Sequence, residues 1–427
     1  MVHPLHFVIV EDDQSSADAM RLLLERGGHR VQVCMDASSA VEFVCAVRPD
    51  VALIDIMMPV MDGIEVCRRL HTVPALRALK SVVVTGKIYD VDRTGALAAG
   101  ARGVLHKPLN PQTFVNDVLA LVNDDIVVSY WGVRGLLPVP GPATQRYGGN
   151  TSCVTLDLPC DTQLIFDAGS GIKALSDRLM TRNTSHTSAR MLISHPHWDH
   201  LNALSFFEPL YVSGNELEIM GPSQGQVSMR ELVTAQFDPL YSSVSFRELS
   251  ARVFFRDLSE TTFHMGAYTV RTLLLAHPGN CLGYRVDYSG RSFCYVPNTE
   301  LPLVKSAAYN PEFERKLIDF VAGADVALMD ATYGDEVADV RRRRGYSNVR
   351  RVAEVAHEAG VRELQLFHHG PQDDDQAIDR KLEGARAVLA ALGSSVGCTA
   401  PAEGTQKKLT GAGRGDGAGV ESMPHAA

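Results

Sequence analysis

No cysteine of this chain sits in a CxxC pair. The eight, at positions 34, 45, 67, 153, 160, 281, 294 and 398, are scattered over 427 residues, which suits reduced thiols in a cytoplasm better than a disulfide framework. Long apolar runs are missing too. Nothing approaches the roughly 20 consecutive apolar residues that cross a bilayer, so no membrane association is expected. The opening "MVHPLHFVIVEDD" has no basic stretch leading into a long apolar run, and reads as no secretory leader. Positive charge is in deficit: the net charge of -9 argues against general affinity for nucleic acid or membrane surfaces. Internal repeats are absent. What remains is ordinary for soluble globular protein, with 45% apolar and 21% charged residues, at a length that predicts two domains.

Residues 5–122 alternate short apolar runs ("LHFVIV", "RVQVC", "VALIDI", "SVVVTG", "RGVLHKP") with amphipathic stretches such as "SSADAMRLLLERGG", which offers a Ser N-cap and a Gly-Gly stop. That rhythm predicts a five-stranded, doubly wound parallel sheet with functional residues at the carboxyl ends of its strands. After "FVNDVLALVNDD" the pattern changes. From "IVVSYWG" to "LQLFHH" many strand-like runs are punctuated by Gly and Asn turns, with helices such as "NVRRVAEVAHEAG" late in the segment, a second and larger α/β domain. The expected division is 1–124, 125–398 and a disordered Gly/Ala-rich tail over 399–427.

Polar groups recur where the first five strands end: Glu11 and Asp12, then Asp55, Thr85 and Lys107. Three converging carboxylates repel unless a hard cation such as Mg²⁺ joins them. A carboxylate beside Mg²⁺ can take a phosphoryl group, and a threonine hydroxyl and lysine ammonium can pair with its oxygens. Any one acid at a strand end is more often a solvated turn residue; the whole set, with "DIMMPVMDG" around Asp55, is not. The segment resembles a response-regulator receiver domain. The resemblance implies Glu11 and Asp12 as Mg²⁺ ligands, Asp55 as phosphoacceptor and Thr85 and Lys107 as phosphate sensors, with a sensor histidine kinase as partner. It also places Val104 where the family often has an aromatic switch residue, so the signal is expected to leave by another face.

"HPHWDH" places His195, His197, Asp199 and His200 within six residues. Imidazole and carboxylate at this density suit Zn²⁺, Mn²⁺ or iron, and burying them unpaired would be costly. The motif resembles the HxHxDH signature of the metallo-β-lactamase fold, an αββα sandwich. "RYGGNTSC" and "LIFDAGSGI" resemble the opening of its phosphodiesterase and ribonuclease Z-like branch, over roughly residues 126–395. The resemblance implies His277 ("AHPGNCLGYR") as the third imidazole of a first ion. For a second ion it implies His368 or His369 ("LQLFHHGP"), with His368 favoured, and it places Asp330 ("DVALMDATYGDE") near the site, although a strand-end acid would look the same.

Two positions leave the family pattern. Its bridging aspartate falls on Asn298, a neutral amide with one useful oxygen, so a weaker or vacant second site is expected. Its catalytic histidine falls on Tyr346 in "GYS"; a phenol with an ordinary pKa of ~10 is a poor general acid near neutrality. The basic run 341–351 reads as a solvated helix face ahead of a substrate-steering patch, and "YGGN" and "DAGSG" read as turns.

The leading expectation is a phosphodiester-cleaving response regulator, with Asp199 orienting the attacking water. A phosphorylated small molecule or nucleotide is its substrate class, and a homodimer a further expected partner. A degenerate binding module is the alternative, motivated by Asn298 and Tyr346. An RNA-processing nuclease is a third, weakened by the acidic balance.

Overall fold

The computed structural model describes residues 4–86, 90–122, 125–159, 162–181, 187–240, 242–265, 268–334, 345–409 and 421–423. The chain divides into two compact units, one built on Met1–Asp124 and the other on Asp125–Leu158 and Thr162–Ala427.

In the first unit five strands pair in parallel in the order Arg30–Cys34, His6–Val10, Val51–Asp55, Lys80–Thr85, Gly103–His106. The central strands read as unbroken apolar runs because both faces are covered. Val8, Val10, Ala52 and Ile54 pack into one core layer, Phe7, Ile9, Leu53 and Val84 into the other. The first helix, Gln14–Arg26, is capped by Asp13, whose carboxylate accepts the Ser16 N–H at 2.7 Å. The expected serine cap is therefore displaced by the aspartate two residues earlier, also a preferred cap. The Gly-Gly stop is present, with Gly28 at φ +83°.

The second unit is a sandwich of an eight-stranded and a seven-stranded sheet. Its middle layer is aromatic and aliphatic: Tyr130, Leu156 and Phe166 from one sheet meet Tyr284, Phe293, Tyr295 and Phe367 from the other. The seven-stranded sheet is covered outside by Pro311–Val321, Val349–Glu358 and Asp375–Ala391. The eight-stranded sheet is covered by Ile172–Thr181 and Met229–Thr234. The αββα order puts strand ends from both sheets along one edge.

The tail departs from expectation. Gly397–Thr399 closes the seven-stranded sheet, and Thr405–Leu409 pairs antiparallel with Ile126–Gly132. "TQKKL" alternates, burying Leu409 and Lys407, and the Lys407 ammonium pairs with Glu363 at 2.7 Å. Glu403 accepts from both the backbone and side-chain nitrogens of Asn150. Composition hid a five-residue strand inside a Gly/Ala-rich stretch. Glu421–Ser422 pairs with it in turn; positions 410–420 and 424–427 lie outside the described residues. No described helix is long and apolar enough to cross a membrane.

Candidate functional sites

In the first unit, Asp55 ends a fully buried strand and meets Glu11 and Asp12, with one oxygen of each within 4.8 Å of the others. Lys107 reaches across to both buried acids, 2.7 Å from Glu11 and 2.8 Å from Asp55. Burial alone would lower the Lys107 pKa, but hydrogen bonds to Asp55 and Glu11 outweigh it and hold the ammonium above its ordinary value. Thr85 is buried at the end of the adjacent strand. Val104 is half-buried against the core, with no ring to swing. The arrangement can hold a hard divalent cation and accept a negative group at Asp55.

In the second unit, two trios of possible ligands lie side by side, His195 and His200 having ring centroids 4.3 Å apart. The first is His195, His197 and His277, with centroid separations of 4.3, 4.5 and 4.9 Å. His195 Nδ1 lies 3.1 Å from Ser194 Oγ, which leaves Nε2 as the ligand atom. Burial lowers the pKa of all three, His277 to about 4, so they stand as neutral imidazoles able to ligate.

The second trio is Asp199, His200 and His368, all buried. Asp199 Oδ2 is 3.2 Å from His200 Nε2 and 3.0 Å from His368 Nε2, and those two nitrogens are 3.2 Å apart. Each imidazole is turned by a partner on its other nitrogen. Asp167 Oδ2 sits 2.7 Å from His200 Nδ1, and Thr332 Oγ1 sits 3.0 Å from His368 Nδ1. Such outer partners fix tautomer and ring orientation. His368 adopts a left-handed backbone, φ +58°, a strain of the kind found at functional sites. That turn sends consecutive histidines apart. His369 is buried against Tyr147, its carbonyl accepts the Gly135 N–H, and it belongs to neither trio.

The residues fit divalent cations. His195 Nε2, both ring nitrogens of His277 and both side-chain polar atoms of Asn298 are buried without a hydrogen-bond partner. Buried polar atoms left so cost about 1–3 kcal/mol each unless something satisfies them. The backbone is cut close around the ligands: a Cβ on Gly135 would collide with the His368 ring, and one on Gly345, φ +79°, would collide with His277.

Asp330 stands one layer back. Its oxygens accept from Thr332 N–H and Oγ1–H, from Ser347 N–H at 2.9 Å and from Thr299 N–H at 3.4 Å. Burial raises its pKa against those bonds. It clamps the loop of Asn298 to the loop of Tyr346 and orients Thr332. The Tyr346 ring stacks on His368 with centroids 5.7 Å apart at 21°. In the basic run, 341–344 fall outside the described residues, and Arg351 is not on a solvated face: it is buried in ion pairs with Glu314 and Glu354.

Sequence reading missed Asp167, Ser194, Thr332 and the Leu136 N–H, which donates to Asp199 at 2.6 Å. Asp167 also accepts from Ser194 N–H, Ser194 Oγ–H and the Tyr295 hydroxyl, at 2.7–2.8 Å. A carboxylate closing an apolar strand, as Asp55 does, was the available signal in "LIFDAGSG".

Fold and site together define a doubly wound domain with an acidic cluster at its strand ends, followed by an αββα domain whose clustered side chains could hold divalent metal. Residues 7–119 match the response regulator receiver domain family and residues 162–369 match the beta-lactamase superfamily domain. The DNA-binding response regulator MtrA of Mycobacterium leprae is 32% identical over 154 residues, 35% of this chain and 67% of that protein. The transcriptional regulatory protein CseB of Streptomyces coelicolor is 34% identical over 125 residues, 29% of this chain; the chain spans about half, 51%, of its length. The metallo-beta-lactamase fold protein YhfI of Bacillus subtilis aligns in structure over 67% of this chain and 100% of its own, at 18% identity and a TM-score of 0.48. The chain therefore belongs to the response regulators, its receiver domain followed by a beta-lactamase-superfamily domain.

Proposed function

We propose that this protein is a phosphorylation-controlled, metal-dependent phosphodiesterase. The observation that carries the reading is the pair of adjacent trios, with orphaned buried nitrogens in the first and two imidazoles turned by outer partners in the second. His195, His197 and His277 would hold one ion, of zinc, manganese or iron; Asp199, His200 and His368 would hold a second. Ions bound there supply Lewis acidity toward a phosphoryl oxygen and make water acidic enough to act as a nucleophile.

The chain's own groups do the rest. Asp199, fixed by the Leu136 N–H, orients the attacking water as well as ligating. Tyr346, held flat on His368, donates a hydrogen bond toward the phosphodiester. Asp330 holds the backbones of Thr299 and Ser347 together by accepting from both N–H groups. In the receiver domain Asp55 takes the phosphoryl group from a sensor histidine kinase, with Mg²⁺ held by Glu11, Asp12 and Asp55. Lys107 and Thr85 then pair with the phosphoryl oxygens.

The test is hydrolysis of bis(p-nitrophenyl) phosphate by metal-loaded protein. Turnover lost with chelator and in His195→Ala supports the reading. A second reading, a binding module without turnover, rests on Asn298, whose amide stands where a carboxylate would add charge for two cations. Turnover appearing only in the Asn298→Asp, Tyr346→His double variant would establish that second reading.

A further inference from the structure

Beside the first trio a cavity of about 330 Å³ opens, with His277 in its wall. That volume is at the lower end for ligand pockets, roughly 300–1,000 Å³. Its walls come from three short segments. One follows the strand Tyr268–Leu274, a second follows the strand Arg291–Val296, and the third leads into the helix Pro311–Val321. Pro278, Leu301, Pro302, Ala308 and Phe313 supply the apolar surface.

Three polar groups of the wall are engaged with the protein. Asn310 caps the helix Pro311–Val321 by accepting from Glu312 N–H and Phe313 N–H. The Tyr309 hydroxyl donates to Glu314 at 3.1 Å, and Glu314 is paired with Arg351. No lysine or arginine lines the cavity among the described residues, while two carboxylates, Glu300 and Glu314, do. An uncharged ring would meet proline and phenylalanine faces, the surfaces on which flat groups stack.

We propose that this cavity is a specificity pocket that receives an uncharged ring borne by the phosphodiester, a nucleoside being the natural example. The inference rests on the phosphodiesterase reading for its substrate, but ring binding itself does not require turnover. With the ring in the cavity, the phosphate is left at the His277 end, beside the first trio.

The test uses full-length, metal-loaded protein and Ala308→Trp. Ala308 is exposed at the rim, so the indole narrows the cavity without entering the core, and unchanged metal content verifies the fold. Two substrates that release the same p-nitrophenolate are compared, thymidine 5′-(p-nitrophenyl phosphate) and methyl p-nitrophenyl phosphate. The expected result is a roughly tenfold or greater rise in KM for the thymidyl substrate, from lost stacking, with the methyl substrate changed less than about twofold. Equal effects on both substrates would overturn the proposal. If neither substrate is hydrolysed, the phosphodiesterase reading fails by itself, and equilibrium binding of thymidine decides the pocket. Binding weakened by Ala308→Trp then upholds it, and binding absent or unaffected overturns it.

Discussion

At the scale of single residues, the candidate site depends on groups that belong to neither trio. Asp167 is buried, joins His200 Nδ1, and is held by three donors from Ser194 and Tyr295. Outer partners of this kind typically contribute 10–100-fold to metal affinity. Asp167→Asn is therefore expected to weaken zinc binding by about that factor, measured by competition with a chromophoric chelator; unchanged affinity would contradict the role assigned to it. The HPHWDH cluster was legible in the sequence because four possible ligands crowd into six residues. Asp167 and Thr332 were not, because their partners lie 33 and 36 positions away and only folding joins them. His368 was already favoured over His369 from the sequence, while the backbone angle that parts the two shows only in the fold.

At the scale of elements, apolar period and strand-end acids made the five-stranded receiver sheet readable, each strand being a short buried run between amphipathic helices. The tail was not readable by the same means. Thr405–Leu409 owes its place to backbone pairing with Ile126–Gly132, far earlier in the chain, and to two buried side chains. Truncation after Cys398 removes that strand, the Glu403 contacts to Asn150 and the buried Leu409. Burying one leucine is worth about 1.5–3 kcal/mol, so the truncated protein is expected to melt several degrees lower. A melting temperature unchanged from the full chain, read by circular dichroism, would contradict this account of the tail.

At the scale of the whole molecule, a receiver domain and a beta-lactamase-superfamily domain share one chain. Incubation with acetyl phosphate and Mg²⁺ is expected to add one phosphoryl group, seen by intact mass, and Asp55→Asn is expected to abolish it; equal uptake by the variant would place the acceptor elsewhere. The two trios carry the proposed chemistry, and elemental analysis tests them, on protein purified without added metal and dialysed to remove weakly held Mg²⁺. The account predicts about two equivalents of transition metal per chain, one for each trio, falling when His195 and His277 are both replaced by alanine. Protein that carries none, and takes up none on titration with zinc or manganese, would contradict it.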